Sequence, residues 1–227
     1  MTARIVALVP MRHQSERVSG KNYRPLGGRP LFHHIVASLL ACPRIAEVVI
    51  DTDSESIAED ATRSFPGIRI VDRPTRLRGG QVSMNDVLLH DVAQVASDYY
   101  LQTHSTNPLL STATITDAID AFLSAWPERD SLFSVTRLQT RLWSADGQPL
   151  NHDRSVLLRT QDLPPVFDEN SNLYIFTREG LEQRRNRIGE RPLLFEIDRV
   201  EAWDIDDEAD FEIAEALYQR RGYRSAA

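Results

Sequence analysis

Short apolar runs rich in β-branched residues alternate with stretches of helical periodicity along most of this chain. "RIVALVP", "IAEVVIDTD", "IRIV", "YYLQT", "SLFSVTR" and later "NLYIF" read as strands. Between the first two, "PLFHHIVASLLA" carries Leu31, Ile35, Leu39 and Leu40 at helical spacing behind a proline suited to a first turn. "SESIAEDATRSF", "SMNDVLLHDVAQVA" and "TATITDAIDAFLSAW" read as helices in the corresponding later positions. Such alternation implies an α/β fold, a mostly parallel sheet with crossover helices on both faces. Ligands in such sheets bind beyond the carboxyl ends of the strands.

Residues 137–170 interrupt the pattern with an Asp146-Gly147 turn signal, several prolines and little helical periodicity. They read as a β-hairpin or excursion from one domain spanning 1–227, and "FEIAEALYQRRGY" closes the chain as an amphipathic helix. Hydrophobic residues make up 41% of the sequence, enough for a full core. The sequence has no run of about 18 apolar residues, so neither a membrane span nor a signal peptide is expected, and a cytoplasmic location is. Cys42 is the lone cysteine, which excludes an intrachain disulfide and a cysteine-based metal cluster. A net charge of -7 argues against nucleic acid as a partner.

The local charge at the start of the chain is opposite. Arg4, Arg12, Arg17, Lys21, Arg24, Arg29 and Arg44 face only Glu16 and Glu47 in residues 1–50. Much of this charge lies in the loop "RHQSERVSGKNYRPLGGRP", which is far longer than the few residues usual for a strand-to-helix connection. Gly20, Asn22, Gly27 and Gly28 permit tight turns that turn backbone N–H groups toward an anion. Lys21 is the only lysine among 26 basic residues, a compact point charge on a flexible stem where arginine is otherwise used throughout. The loop is not a P-loop, because Ser15 replaces the first glycine and Asn22 the metal-binding hydroxyl. It also lacks the G-x-G-x-x-G dinucleotide fingerprint.

The second notable segment is "WDIDDEADFE". Acids in a first helical turn complement the helix dipole, and Asp206 or Asp207 suits an N-cap. Asp204 and Asp206, however, flank Ile205 in an extended stretch, so alternation turns both carboxylates to one face. Two such oxygen donors suit Mg2+, which is commonly shared between protein carboxylates and phosphate oxygens. The basic loop and this acid pair together suggest a site for a nucleotide with its metal.

At these residues the chain resembles the CMP-sialic acid synthetases, the acylneuraminate cytidylyltransferases. The opening is similar to their R-x-x-S-K-x-x-x-x-K-N signature and following P-L-x-G-x-P-L, here Arg12, Ser15, Lys21, Asn22 and "PLGGRPL". The likeness continues through "DRP", "SMNDVLLHD", "LQTHSTNPLL", "RTQDLPPVFDENSNLYIF" and "DIDDEADFEIAEAL", in the family's order. It implies a three-layer Rossmann-like nucleotidyltransferase fold. It further implies attack of an acidic sugar's anomeric hydroxyl on the α-phosphate of CTP, giving a CMP-sugar and pyrophosphate. Arg12, Ser15, Lys21, Asn22, Arg73 and Ser83 would bind the nucleotide, with Arg12, Lys21 and Asp206 carrying the catalytic step. Gln102, Arg159, Gln161 and Asn170 would face the sugar, Arg159 through a bidentate fork on its carboxylate. Asp204 and Asp206 would hold magnesium, and the 137–170 excursion would form a homodimer.

The sequence departs from the pattern in four places. Glu16 stands where a lysine is usual, the aspartate expected before Ser83 is absent, "QTHSTNPLL" is longer than its counterpart, and Ser171 replaces a glycine. The acceptor therefore stays open among sialic, legionaminic and pseudaminic acids, Kdo or another carboxylate-bearing compound. A non-catalytic nucleotide-binding homologue and a dinucleotide oxidoreductase on a similar sheet are the competing classes.

Overall fold

The computed structural model describes residues 3–13, 18 and 20–220. Its main sheet contains β1 (Ile5–Met11), β4 (Glu47–Thr52), β5 (Arg69–Asp72), β6 (Tyr99–Gln102), β7 (Ser131–Leu138), β8 (Val166–Phe176) and β9 (Pro192–Glu196). The strand order is β5-β4-β1-β6-β8-β7-β9. β1 pairs in parallel with β4 and β6, and every residue of β1 is buried, as the unbroken apolar run "IVALVPM" requires of a central strand. β8 runs antiparallel to both neighbours, so the sheet is mostly parallel with one reversed strand.

The pleat of β1 divides the core. Ile5, Ala7, Val9 and Met11 pack with α1 (Leu31–Leu40), α2 (Glu55–Ser64) and α4 (Thr112–Ala125). Val6 and Leu8 face the other way, toward α3 (Met84–Gln94) and α5 (Arg178–Arg184). Helices thus cover both faces, and the three-layer expectation holds. Ser54, Ser83, Ser111 and Thr177 each cap a helix by accepting a backbone N–H, which accounts for where α2 to α5 begin. No helix among the described residues is long and apolar enough to cross a membrane.

Two features depart from the sequence reading, and the excursion takes a more definite form. α5 and β9 lie in a stretch where the sequence reading finds no element, because α5 has only one buried aliphatic residue and β9 follows an arginine-rich run. The excursion is the tip of a long β7–β8 ribbon that pairs Leu138 with Val166, and within it Trp143 and Pro149 form one antiparallel bridge about Asp146-Gly147. The opening loop contains structure of its own. A single 3-10 turn over Lys21–Tyr23 follows Gly20 at φ 63°, and β2 (Pro25–Leu26) folds back on β3 (Arg29–Pro30).

A third apolar cluster seats this loop against the end of the chain. Leu26 and Leu31 pack with Leu109, Ile205 and three residues of α6 (Glu208–Arg220), namely Phe211, Ala214 and Tyr218. Arg24 lies over the Phe211 ring at 4.0 Å and pairs with Glu208. Gly27 has φ +56°, and a Cβ there would meet Tyr218 Cε1 at 2.1 Å. Gly28, at φ +85°, has open space around it. The two glycines therefore separate packing from backbone strain. Gly27→Ala is expected to lower unfolding free energy by about 2–4 kcal/mol, the sum of overpacking and positive-φ strain. Gly28→Ala should cost only the strain, about 1–2 kcal/mol, with urea denaturation as the measurement.

Candidate functional site

A cleft of about 540 Å³ opens at the carboxyl ends of β1 and β6. From the first sixth of the sequence come Arg12, Lys21 and Asn22, and from the far end Asp204 and Asp206. Lys21 Nζ donates to the backbone carbonyl of Ile205 at 2.5 Å, so the ammonium lies against the peptide between the two acids. Ile205 itself is fully buried while Asp204 and Asp206 are half-buried, the alternation expected of an extended segment. Ile205 N–H donates to Thr106 O and Asn107 Nδ2 to Asp204 Oδ1, which ties the segment to the loop after β6.

The capping question for these acids is answered by geometry. Asp207 Oδ1 accepts from Asp210 N–H at 3.0 Å, and Asp210 Oδ2 accepts from Asp206 and Asp207 N–H at 3.0 and 3.1 Å. This reciprocal cap begins α6 one residue later, leaving the Asp206 carboxylate to the cleft. Burial, together with the nearby Asp206 carboxylate, raises the Asp204 pKa despite a hydrogen bond from Thr106 and the charge of Lys21. Two carboxylates that repel each other in a partly desolvated cleft fit a divalent cation, whose charge relieves both effects.

Asn22 acts as a bracket. Its Nδ2 donates to Arg12 O at 3.0 Å and its Oδ1 accepts from Ser105 Oγ at 2.7 Å, joining the basic loop to the loop after β6. Nearby, His13 N–H donates to Asp53 Oδ1 at 2.7 Å, anchoring the loop beyond β4. Arg73 also borders the cleft, although it is buried and paired through Nε with Asp51 Oδ1.

Other expected residues are placed elsewhere. Ser15, with Glu16 and Arg17, lies outside the described residues. Ser83 caps α3 and lines a separate depression beside Gln81 and Asp86, because the helix needs its hydroxyl as an N-cap. Asn170 does not border the cleft. Its amide accepts from Ser134 Oγ at 2.6 Å and donates to Thr136 Oγ1 at 3.0 Å, holding the irregular β7–β8 pairing. The adjacent Ser171 borders the cleft instead, at φ 59°, a left-handed conformation that a glycine would adopt without strain. Arg159 is exposed and forms a two-pronged pair with Asp162 at 2.6 and 3.0 Å. Gln161 lines a second depression with Arg137 and Glu196. Neither borders the cleft of its own chain, since both lie in the excursion beyond the β7–β8 ribbon.

Gln102 is fully buried at the end of β6 and reaches the cleft through a neighbour. Its Oε1 accepts from Arg187 Nη1 at 2.7 Å, so its Nε2 must point the other way, donating to Thr103 O at 3.0 Å and His104 Nε2 at 3.1 Å. A donor at Nε2 fixes the neutral imidazole as the Nδ1–H tautomer. Burial first, then the charges of Arg187 and Lys21, push the His104 pKa down to about 3. Arg187 is itself held 3.5 Å over the Tyr174 ring, whose hydroxyl bonds Glu169. Sequence reasoning missed His104 and Arg187. The extra polar residues of "QTHSTNP" at a strand's carboxyl end were the available signal for the histidine, and Arg187, in an unassigned stretch, had none.

The sign of the His104 effect follows from its lowered pKa. Below pH 6.5 the unfolded chain takes up a proton that the folded chain refuses, so stability present above 6.5 is lost as pH falls toward 3. His104→Asn removes this contribution. Between pH 7.5 and 5 the wild type is expected to lose about 1–2 kcal/mol relative to that variant, measured by urea unfolding at each pH.

Comparison with known proteins bears on the same cleft. The sequence matches the cytidylyltransferase family profile over residues 6–227. It is 26% identical over 236 residues to post-translational flagellin modification protein B of Campylobacter coli, covering 97% of each chain. It is 27% identical to the CMP-N,N'-diacetyllegionaminic acid synthase of Legionella pneumophila, covering 95% of this chain and 97% of that one. In fold it is similar to a CMP:2-keto-3-deoxy-manno-octonic acid synthetase solved in complex with CTP. That likeness has a TM-score of 0.71 at 16% identity and covers 96% of this chain and 100% of the other. With the profile spanning nearly its whole length, this chain belongs to the cytidylyltransferase family.

Proposed function

We propose that this cytidylyltransferase transfers CMP from CTP to a carboxylate-bearing sugar of the nonulosonic acid class. The observation that carries the reading is the Lys21 ammonium on the Ile205 carbonyl, with Asp204 and Asp206 on either side in one cleft. Cation and acids from opposite ends of the sequence, brought to one point, suit a polyanion with its metal. The match along almost the full length of a legionaminic acid synthase supports the sugar class.

In the proposed reaction the acceptor's hydroxyl oxygen forms a bond to the α-phosphorus of CTP as the bond to the bridging oxygen breaks. The hydroxyl proton leaves to solvent and pyrophosphate departs. Such a step asks mainly for alignment and for neutralisation of charge on the phosphoryl oxygens. Arg12 and Lys21 would supply fixed positive charge, and Asn22 would hold the basic loop in register with the loop after β6. Asp204 and Asp206 would hold Mg2+, which when bound adds further neutralisation at phosphate oxygens. His104, neutral and protonated at Nδ1, would act as a hydrogen-bond donor that brings no charge and takes no proton at neutral pH. A homodimer formed through the 137–170 excursion belongs to the same proposal, since Trp143, Leu150 and Leu157 are exposed there.

The test is pyrophosphate release across four nucleoside triphosphates and a panel of acidic sugars. Turnover is expected with CTP and one or more nonulosonic acids. Lys21→Ala and Asp206→Ala should each lower kcat at least about tenfold, a barrier change near 1.4 kcal/mol. CTP with magnesium raising the melting temperature without turnover on any acceptor would favour a binding protein, and protection by NAD with indifference to CTP would favour an oxidoreductase.

A further inference from the structure

Behind the cleft lies a group of buried polar atoms that the reaction does not use. Asp91 on α3 and Asp51 on β4 are 0% and 1% exposed. Among the described residues no donor reaches either oxygen of Asp91 or Oδ2 of Asp51, and His90 Nε2 beside them is likewise unpartnered. Ligand-type atoms of Asp51, His90 and Asp91 lie within 4.8 Å of one another. Two carboxylates cannot both stay ionised at such separation out of water with a single cation to balance them. That cation is the Arg73 guanidinium, whose Nε sits on Asp51 Oδ1 and whose Nη2 donates to Asp51 O at 3.4 Å. The carboxyl without the guanidinium is the one to take the proton.

We propose that Asp91 is a positioning residue: a neutral acid that donates a hydrogen bond to Asp51 Oδ2 and so fixes the carboxylate on which Arg73 is mounted at the cleft. A carboxylate with a donor on each oxygen has one orientation, and the guanidinium it holds inherits that orientation. Burial and the charge of Asp51 push the Asp91 pKa up to about 9, in the direction the geometry requires. A divalent metal bound by Asp51, His90 and Asp91 is the competing occupant of these unpartnered atoms. The guanidinium already on Asp51 opposes it, because no second cation is then needed. The inference rests on Arg73 serving the nucleotide side of the cleft, as proposed above.

The experiment combines a substrate-free measurement with two variants. Protein labelled with 13C at aspartate carboxyls is titrated by NMR, and the resonance missing from Asp91→Asn is assigned to Asp91. It is expected in its neutral form at pH 7, with no stoichiometric metal in the purified protein. Asparagine keeps a donor of the same shape, so Asp91→Asn should bind CTP within about twofold of wild type. Asp91→Ala should raise the KM for CTP about tenfold while kcat changes less than about threefold, a split that global loss of structure would not give. An ionised Asp91 at pH 7, an asparagine variant as weak as the alanine one, or a divalent metal lost on Asp91→Asn would each overturn the proposal. A wild type indifferent to CTP would overturn the nucleotide reading and the positioning role with it, while the carboxyl resonance would still locate the proton.

Discussion

The contact between Lys21 Nζ and the Ile205 carbonyl depends on bringing together segments 184 residues apart in sequence. A single charged hydrogen bond of about 1.5–3 kcal/mol cannot alone close a chain loop of that length. The work is done beneath it, where Leu26, Leu31, Leu109, Ile205, Phe211, Ala214 and Tyr218 form a cluster separate from the two faces of the sheet. Burying each large side chain contributes about 1.5–3 kcal/mol, so the cluster greatly exceeds the polar contact it supports. Ile205 belongs to both: its side chain is part of the cluster and its carbonyl receives the ammonium. The acids on either side have no alternative but to face the cleft.

Within the cleft, each charged group is held by a different device. Lys21 donates to a backbone carbonyl, and its charge also acts on Asp204. His104 is denied a charge altogether by burial next to Arg187 and Lys21. Arg187 in turn is held by the Tyr174 ring and Gln102. An imidazole that stays neutral between two cations can offer a hydrogen bond without adding to a field already set by arginine and lysine.

Much of this was legible in the sequence because it depends on local pattern. The main-sheet strands through β7 and the α-helices between them follow from short apolar runs and helical spacing, and the outward direction of Asp204 and Asp206 follows from Ile205 between them. The four cleft residues Arg12, Lys21, Asn22 and Arg73 are legible from charge, the single lysine and the family likeness. What escaped depends on long-range packing. α5 has a single buried aliphatic residue, and β9 is a five-residue edge strand whose apolar side chains are half-buried or exposed. Arg187 reaches Gln102 across 85 residues of sequence, and nothing in its neighbours signals that contact. Asn170 and Ser83 carry the right side chains for ligand binding, but the irregular β7–β8 pairing and the α3 N-terminus use their polar atoms first.

Three acid pairs show how one residue type acquires different chemistry from its surroundings. Asp207 and Asp210 face solvent at a helix start, and backbone N–H groups absorb their charge. Asp51 and Asp91 are sealed between α3 and the sheet, where Arg73 is the one guanidinium against them among the described residues, so the proposed proton on Asp91 makes up the difference. Asp204 and Asp206 lie between these extremes, partly desolvated yet open to a cleft that admits ions. Burial first, and then the neighbouring Asp206 carboxylate, raises the Asp204 pKa. A site in that intermediate state gains most from an incoming cation, because binding relieves a repulsion that the fold itself imposes. Moving the pair one residue toward α6 would give it the helix's N–H groups and remove the repulsion on which the proposed cation site rests, which is why the position of the cap at Asp207 matters as much as the carboxylates themselves.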